Sequence, residues 1–193
     1  MKIGDVFSYI KNGIDTKKIS GRVSEVVVFK KILKESMKNV KFIESRFSEA
    51  ERLNHNIDSK YMLHKDDIII SLKKPYKVAC LSQELDYNVL IPNHYIVLRN
   101  IDSSKYNTLF VANYLNVVGI DNLINELDNQ RDLTLYDIEN IKLPDIPLSK
   151  QENMMNLCDS INEKAVCYEK IMDNDLKIIE HVMMEVLGDG CDR

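Results

Sequence analysis

Four histidines, four cysteines and one acidic dipeptide are the residues of this 193-residue chain with the right chemistry for metal binding or proton transfer. Metal sites need ligands at set spacings, such as H-E-x-x-H on one helical face. His55, His64, His94 and His181 are scattered and match no such pattern. Asp66-Asp67 reads as a polar strand entrance, since neighbouring side chains on a strand point to opposite faces and cannot share one ion. Cys80, Cys158, Cys167 and Cys191 form no C-x-x-C pair and read as free, buried thiols of a reducing compartment. Neither glycine-rich phosphate loop is present, and there is no G-x-S-x-G nucleophile elbow. The expectation is a binding protein without a cofactor, a metal or catalysis of its own.

Residues suited to binding are the cations. Net charge is −4, but its distribution is uneven. Residues 1–77 hold 17 Lys and Arg against 10 Asp and Glu, whereas residues 78–147 hold 4 against 10 and residues 148–193 hold 5 against 10. A basic face on an otherwise acidic chain suits a polyanion. Two segments concentrate it. Asn12-Gly13-Ile14-Asp15-Thr16-Lys17-Lys18 is a polar, basic loop followed by Arg22, Lys30 and Lys31. Lys73-Lys74-Pro75-Tyr76-Lys77 is a basic turn with one aromatic, in which lysines suit phosphate and tyrosine offers stacking or a hydroxyl. Lys17, Lys18, Arg22, Lys73, Lys74, Tyr76 and Lys77 are the candidate DNA-binding residues.

The elements that must position them change character at Pro144-Asp145-Ile146-Pro147. Before it, Val23–Ile32 is a β-branched strand segment, and Asp67–Leu72 is a strand with Val78–Leu81 as its hairpin partner. Tyr95–Leu98 is another strand, preceded by the breakers Pro92 and Asn93. Tyr106–Asn116 has a helical pattern that Gly119 is expected to break before a second short helix, Ile120–Leu127. Thr134 precedes Asp137 by three residues, as in a capping box. Strands and helices that do not alternate predict an α/β (α+β) domain with a small curved sheet.

After the prolines, Leu148–Leu187 contains neither Pro nor Gly. Ser149 is the expected N-cap, with Glu152 completing a capping box, and Gly188 the expected stop. The 4-3 spaced positions Met154, Cys158, Ile161, Ala165, Tyr168, Met172, Asp175, Ile179, Val182 and Val186 are apolar except for Asp175. That is a heptad seam, flanked by Leu157, Ile171, Ile178 and Met183. At 1.5 Å per residue such a helix is a rod of about 60 Å. A stripe of that length and width is expected to meet another helix, with Asp175 setting register.

The order of these pieces resembles the specificity subunits of type I restriction-modification systems. The matching segments are Ile3-Gly4-Asp5-Val6-Phe7 with the Asn12-Gly13 loop; Leu63 to Ser71, an L-x-x-G-D-I-I-I-S-like strand; the Lys73–Tyr76 turn; and Lys77-Val78-Ala79. Tyr95–Arg99 and Phe110–Asn116 follow, and the closing segment runs through Ile138, Ile141, Leu143, Pro144, Ile146, Pro147, Leu148 and Gln151. Asp66 stands where that pattern has glycine.

The resemblance implies a DNA target-recognition domain, residues 1–147, then a long C-terminal coiled-coil helix, residues 148–187, and a short tail, 188–193. It implies a half-length form, with one recognition domain and one helix where a full-length subunit has two of each. The partners implied are double-stranded DNA, methyltransferase subunits, restriction/translocase subunits and a second copy of the chain bound antiparallel through the helix. The reading that remains beside it is a non-catalytic coiled-coil scaffold with a degenerate domain. No apolar run approaches the roughly 18–20 residues of a membrane span, and the polar N-terminus lacks a signal core, so a cytoplasmic location is expected.

Overall fold

The computed structural model describes residues 1–15, 27–38, 40–42, 44–53, 57–127 and 131–188, with 27, 52, 53 and 185–188 described as backbone only. It divides into two compact units, residues 1–151 and 152–193. The strands of the first are β1 (Phe7–Asn12), β2 (Val27–Lys31), β3 (Met37–Lys38), β4 (Val40–Phe42), β5 (Glu51–Leu53), β6 (Ile68–Ser71), β7 (Val78–Cys80), β8 (Asn88–Leu90) and β9 (Tyr95–Ile101).

The Ile68-Ile69-Ile70 run is buried on both faces, as a central strand requires. β6 pairs antiparallel with β7, Ile69 opposite Ala79, and on its other side with β9, Ile69 opposite Val97. The expected hairpin is therefore present, and β9 follows as expected. The six-stranded mixed sheet runs β1-β9-β6-β7-β4-β3, with β4 parallel to β7. A second sheet, β5-β2-β8, has β2 antiparallel to β5 and parallel to β8. The expected strand over Val23–Ile32 is described from Val27 onward; Val23–Val26 lie outside the described residues. Among the described residues neither sheet closes into a barrel.

Ile69, Ala79, Tyr95 and Val97 share one core cluster with Ile32, Val89 and Ile91, which flank or belong to the second sheet. At the close of that junction, Gly13 donates its N–H to the Tyr95 carbonyl at 2.9 Å. A Cβ there would lie 2.2 Å from the carbonyl oxygens of Ile91 and Pro92, so only glycine fits.

α1 (Thr108–Tyr114) packs against β7, capped by the Asn107 side chain, which accepts from the Phe110 N–H at 3.0 Å. Gly119 does not break this helix. The chain passes through a π turn, Leu115–Gly119, straight into α2 (Ile120–Glu126). Gly119 has helical dihedrals, φ −64° and ψ −45°, and a Cβ on it would lie 3.1 Å from Leu115 Cδ2. Its small size serves close packing rather than a stop. α3 (Leu135–Glu139) starts with the expected Thr134–Asp137 capping box.

Two distant motifs close the first unit. Ile3 N–H donates to the Ile141 carbonyl at 3.0 Å, and Leu143 N–H to the Met1 carbonyl at 2.8 Å. α4 (Leu148–Gly188) is a single helix ending at the expected glycine. It begins one residue before Ser149, so Ser149 lies inside its first turn and is not the N-cap. The Pro147 carbonyl accepts from Lys150 and Gln151 N–H groups, at 2.9 and 3.1 Å, and proline's fixed φ suits that entry. Gln151 is fully buried; its Oε1 accepts from Asn107 N–H at 2.9 Å, and its Nε2 donates to the Lys105 and Ile146 carbonyls at 2.9 and 2.7 Å.

In the second unit, Met154, Ile161, Tyr168, Met172, Ile179 and Val182 of the seam are exposed, as are the flanking Leu157, Ile171, Ile178 and Met183. Ala165 and Asp175 are exposed too, and the Val186 side chain lies outside the described residues. The expectation that all cysteines are buried holds for Cys80, whose thiol burial pushes up to about 12. Cys158 is half-buried, Cys167 is exposed on the polar side of the helix, and Cys191 lies outside the described residues.

Candidate nucleic-acid interface

The basic turn between β6 and β7 is held by its own carbonyls. Ser71 Oγ donates to the Lys73 carbonyl at 2.9 Å, and Ser71 N–H to the Lys77 carbonyl at 2.9 Å. Leu72 N–H donates to the His94 carbonyl at 3.0 Å, tying the turn to the entry of β9. Lys34, in the short helical turn Lys34–Ser36, donates from Nζ to the Lys74 carbonyl. Lys77 returns the contact, donating from Nζ to the Lys34 carbonyl at 2.9 Å and the Met37 carbonyl at 3.1 Å. Two basic segments are thereby laced together, a lysine of each bonding the backbone of the other segment.

Lys73 and Lys74 are exposed, and neither pairs with a carboxylate among the described residues. Tyr76 is half-buried; burial, then the Asp132 charge, raise its hydroxyl above the ordinary range. His94 stacks on Tyr95 at 4.3 Å between ring centroids. Burial, and then the nearby Lys73 and Lys34 charges, lower its pKa. Lys17, Lys18 and Arg22 lie outside the described residues.

Lys34 and His94 were missed by sequence reasoning. Lys34 follows the Lys30-Lys31 pair by three residues, but the signal that it belongs with the turn is a contact spanning 40 residues.

The acidic dipeptide stands at the entrance of β6, as expected, and its two side chains differ in exposure. Asp66 is exposed and takes φ 65°, the left-handed conformation that glycine adopts at lowest cost. Asp67 is fully buried and accepts from Arg99 Nε at 2.6 Å, Arg99 Nη2 at 2.7 Å and the His64 N–H at 2.8 Å. Arg99 also donates to the Met62 carbonyl at 2.7 Å and lies over the Tyr9 ring. Burial pushes the Asp67 carboxyl up, against the pull of the Arg99 hydrogen bonds. This pair ties the entrance of β6, one of the two strands that bear the turn, to β9. Among the described residues, no group of three His, Cys, Asp or Glu side chains converges as metal ligands would. No helix among them is long and apolar enough to cross a membrane.

A mixed sheet of this order, followed by one long helix, is the fold of a type I specificity subunit. Two solved structures carry the likeness. One is a structure determined to explain complex assembly and conformational transition of the type I R-M system: TM-score 0.61, 16% identity, 97% of this chain and 44% of that one. The other is the HsdS subunit from Thermoanaerobacter tengcongensis: TM-score 0.63, 14% identity, 98% of this chain and 48% of that one. The chain thus spans about half the length of the structures it matches. No family model matches the chain. No curated protein matches it either.

Proposed function

We propose that this chain is a non-catalytic, sequence-specific DNA recognition subunit of a type I restriction-modification system. The observation that supports it most is the fold likeness to specificity-subunit structures over nearly the whole chain, long helix included. On this reading residues 1–147 read duplex DNA, with Lys17, Lys18, Arg22, Lys73, Lys74, Tyr76 and Lys77 on or beside the DNA-facing surface. Residues 148–187 form the dimerising helix, 188–193 a tail. Methyltransferase subunits, and restriction/translocase subunits for cleavage, are the partners that would be directed to the site.

A second copy is the proposed occupant of the apolar seam Met154, Cys158, Ile161, Ala165, Tyr168, Met172, Ile179, Val182 and Val186. Ten exposed large apolar side chains on the seam and its flanks are more than a solvated helix carries. Asp175 favours antiparallel pairing, since a parallel, in-register pair would press two carboxylates together. A twofold dimer of identical readers suits a bipartite, palindromic target.

Titration of a short duplex with the chain and a partner methyltransferase subunit, at several salt concentrations, tests the reading. Binding that weakens steeply and log-linearly with salt is expected. Absence of salt-dependent binding would favour the scaffold reading instead.

A further inference from the structure

We infer that the segment Leu33–Met37 and the β6–β7 turn act as one phosphate-gripping platform, in which Lys34, Lys73 and Lys74 contact the duplex backbone and Lys77 positions them. The inference rests on the DNA-recognition reading and divides the labour among its lysines.

The carbonyls of Lys73, Lys74 and Lys77 all accept hydrogen bonds from Ser71 or Lys34. The backbone N–H groups of Lys73, Lys74 and Tyr76 take no acceptor among the described residues. Three of the turn's carbonyls are thus occupied while three of its N–H groups stand free, although the Pro75 and Tyr76 carbonyls also take no donor among the described residues; the free N–H groups beside two lysines are donors that an anion can use. The ammonium groups of Lys73 and Lys74 add charge without a carboxylate partner among the described residues. Lys34 reaches the same turn, and its ammonium keeps donors beyond the one given to the Lys74 carbonyl.

Lys77 differs. It is half-buried, as Lys34 is, but two of its three N–H donors are fixed on the Lys34 and Met37 carbonyls, where Lys34 gives only one. Its location suits holding Leu33–Met37 against the turn rather than reaching outward. His94 stands beside the lysines, and burial with the Lys73 and Lys34 charges disfavours its protonation.

Phosphate contacts and positioning leave different marks on salt dependence. Each phosphate neutralised by a lysine contributes about 0.9 to the log–log slope of affinity against salt, whereas a group that orders its neighbours changes affinity at constant slope. The test titrates a short mixed-sequence duplex with the full chain, by fluorescence anisotropy at neutral pH and several salt concentrations. The Lys73→Ala/Lys74→Ala variant should flatten the slope by about two units and Lys34→Ala by about one. Lys77→Met should weaken binding by about three- to ten-fold, the cost of leaving one or two side chains to be ordered on binding, with the slope unchanged. Lys77→Arg, which can donate to both carbonyls, should restore affinity and guards against a Lys77→Met variant that fails to fold.

A Lys77→Met slope that falls with the others, or a Lys34→Ala slope that does not fall, overturns the inference and leaves the DNA reading standing. Wild-type chain that shows no salt-dependent binding, alone or with a partner methyltransferase subunit added, overturns both.

Discussion

Removing the Asp67 carboxylate should unfold the first unit more readily than any surface change, and the size of the effect follows from three hydrogen bonds. Asp67 is inaccessible to solvent; the Arg99 side chain is 14% exposed. Asp67→Ala deletes acceptors for Arg99 Nε, Arg99 Nη2 and the His64 N–H, and leaves a guanidinium largely out of water. Breaking a buried pair from one side costs roughly 3–5 kcal/mol. Arg99 keeps the Met62 carbonyl and the Tyr9 ring, which places Asp67→Ala near the lower end, about 3 kcal/mol. Arg99→Met strands the carboxylate instead; because burial already pushes that group up, it can escape by taking a proton, so this variant should recover stability as pH falls. The Asp67→Ala/Arg99→Met double variant removes both charges and should be more stable than the sum of the singles by at least about 1–2 kcal/mol. Urea unfolding followed by circular dichroism measures this; with a slope of about 2 kcal/mol per molar, Asp67→Ala moves the midpoint by about 1.5 M. A cost below about 1 kcal/mol for Asp67→Ala, or strict additivity of the pair, would refute the argument that this contact ties the entrance of β6 to β9.

Two further outcomes are expected. Ile161→Asp with Ile179→Asp places a charge at two exposed seam positions; on the proposed reading the wild type sediments as a dimer and this variant as a monomer, and an unchanged dimer puts the interface elsewhere. Asp137 accepts from Arg131 Nη1 and Nη2 at 2.6 and 2.7 Å and from Thr134 N–H at 2.8 Å, and the Arg131 bonds hold its carboxyl well below the usual range. A carboxyl depressed in the folded state stabilises above its unfolded pKa of about 3.9 and loses that contribution as pH falls below it. Asp137→Asn should therefore cost about 1 kcal/mol at pH 7, a figure discounted for the exposure of Arg131, and the gap to wild type should close in urea titrations carried toward acid.

What sequence patterns revealed of this molecule is what local physics dictates. The β6–β7 hairpin is legible because two apolar runs flank one turn, α3 because Thr134 and Asp137 stand three apart, and the extent of α4 because nothing interrupts Leu148–Leu187. The second sheet is not legible: β2 and β8 run parallel and are joined by no turn, and β5 is three residues; nor are β3 and β4 of the first sheet, at two and three residues, long enough for any period to register. Charge pairing hid for the same reason. Asp67 and Arg99 are 32 residues apart, and Lys34 and Lys77 are 43 apart, so only the fold brings each pair together. Gly119 misled because a glycine in a helical pattern looks alike whether it ends the helix or lets Leu115 and Tyr114 pack closely against the backbone. Asp66 was legible as a misfit: it occupies a glycine-like conformation, and the strain a side chain meets there is accepted within a turn whose N–H bonds the Leu81 carbonyl at 2.8 Å.

The count of cations in residues 1–77 overstates the field a polyanion would meet, and the structure says by which residues. Lys31 is paired with Glu51 and Lys60 with Asp58, at 2.7 and 2.8 Å. Lys30 lies over the Tyr87 ring, Lys2 donates to Asn140, and Lys77 is engaged by two carbonyls. The carboxylates offset the charges of Lys31 and Lys60, while Lys30, Lys2 and Lys77 keep their charge but are tethered where they stand. Lys73 and Lys74 are not, and they sit on a turn braced from two directions, by Ser71 within the hairpin and by Lys34 from another segment. Local charge on a rigid mount, rather than the net charge of the chain, is what a phosphate contact requires. That is why an overall charge of −4 is no argument against a duplex at this edge of the sheet.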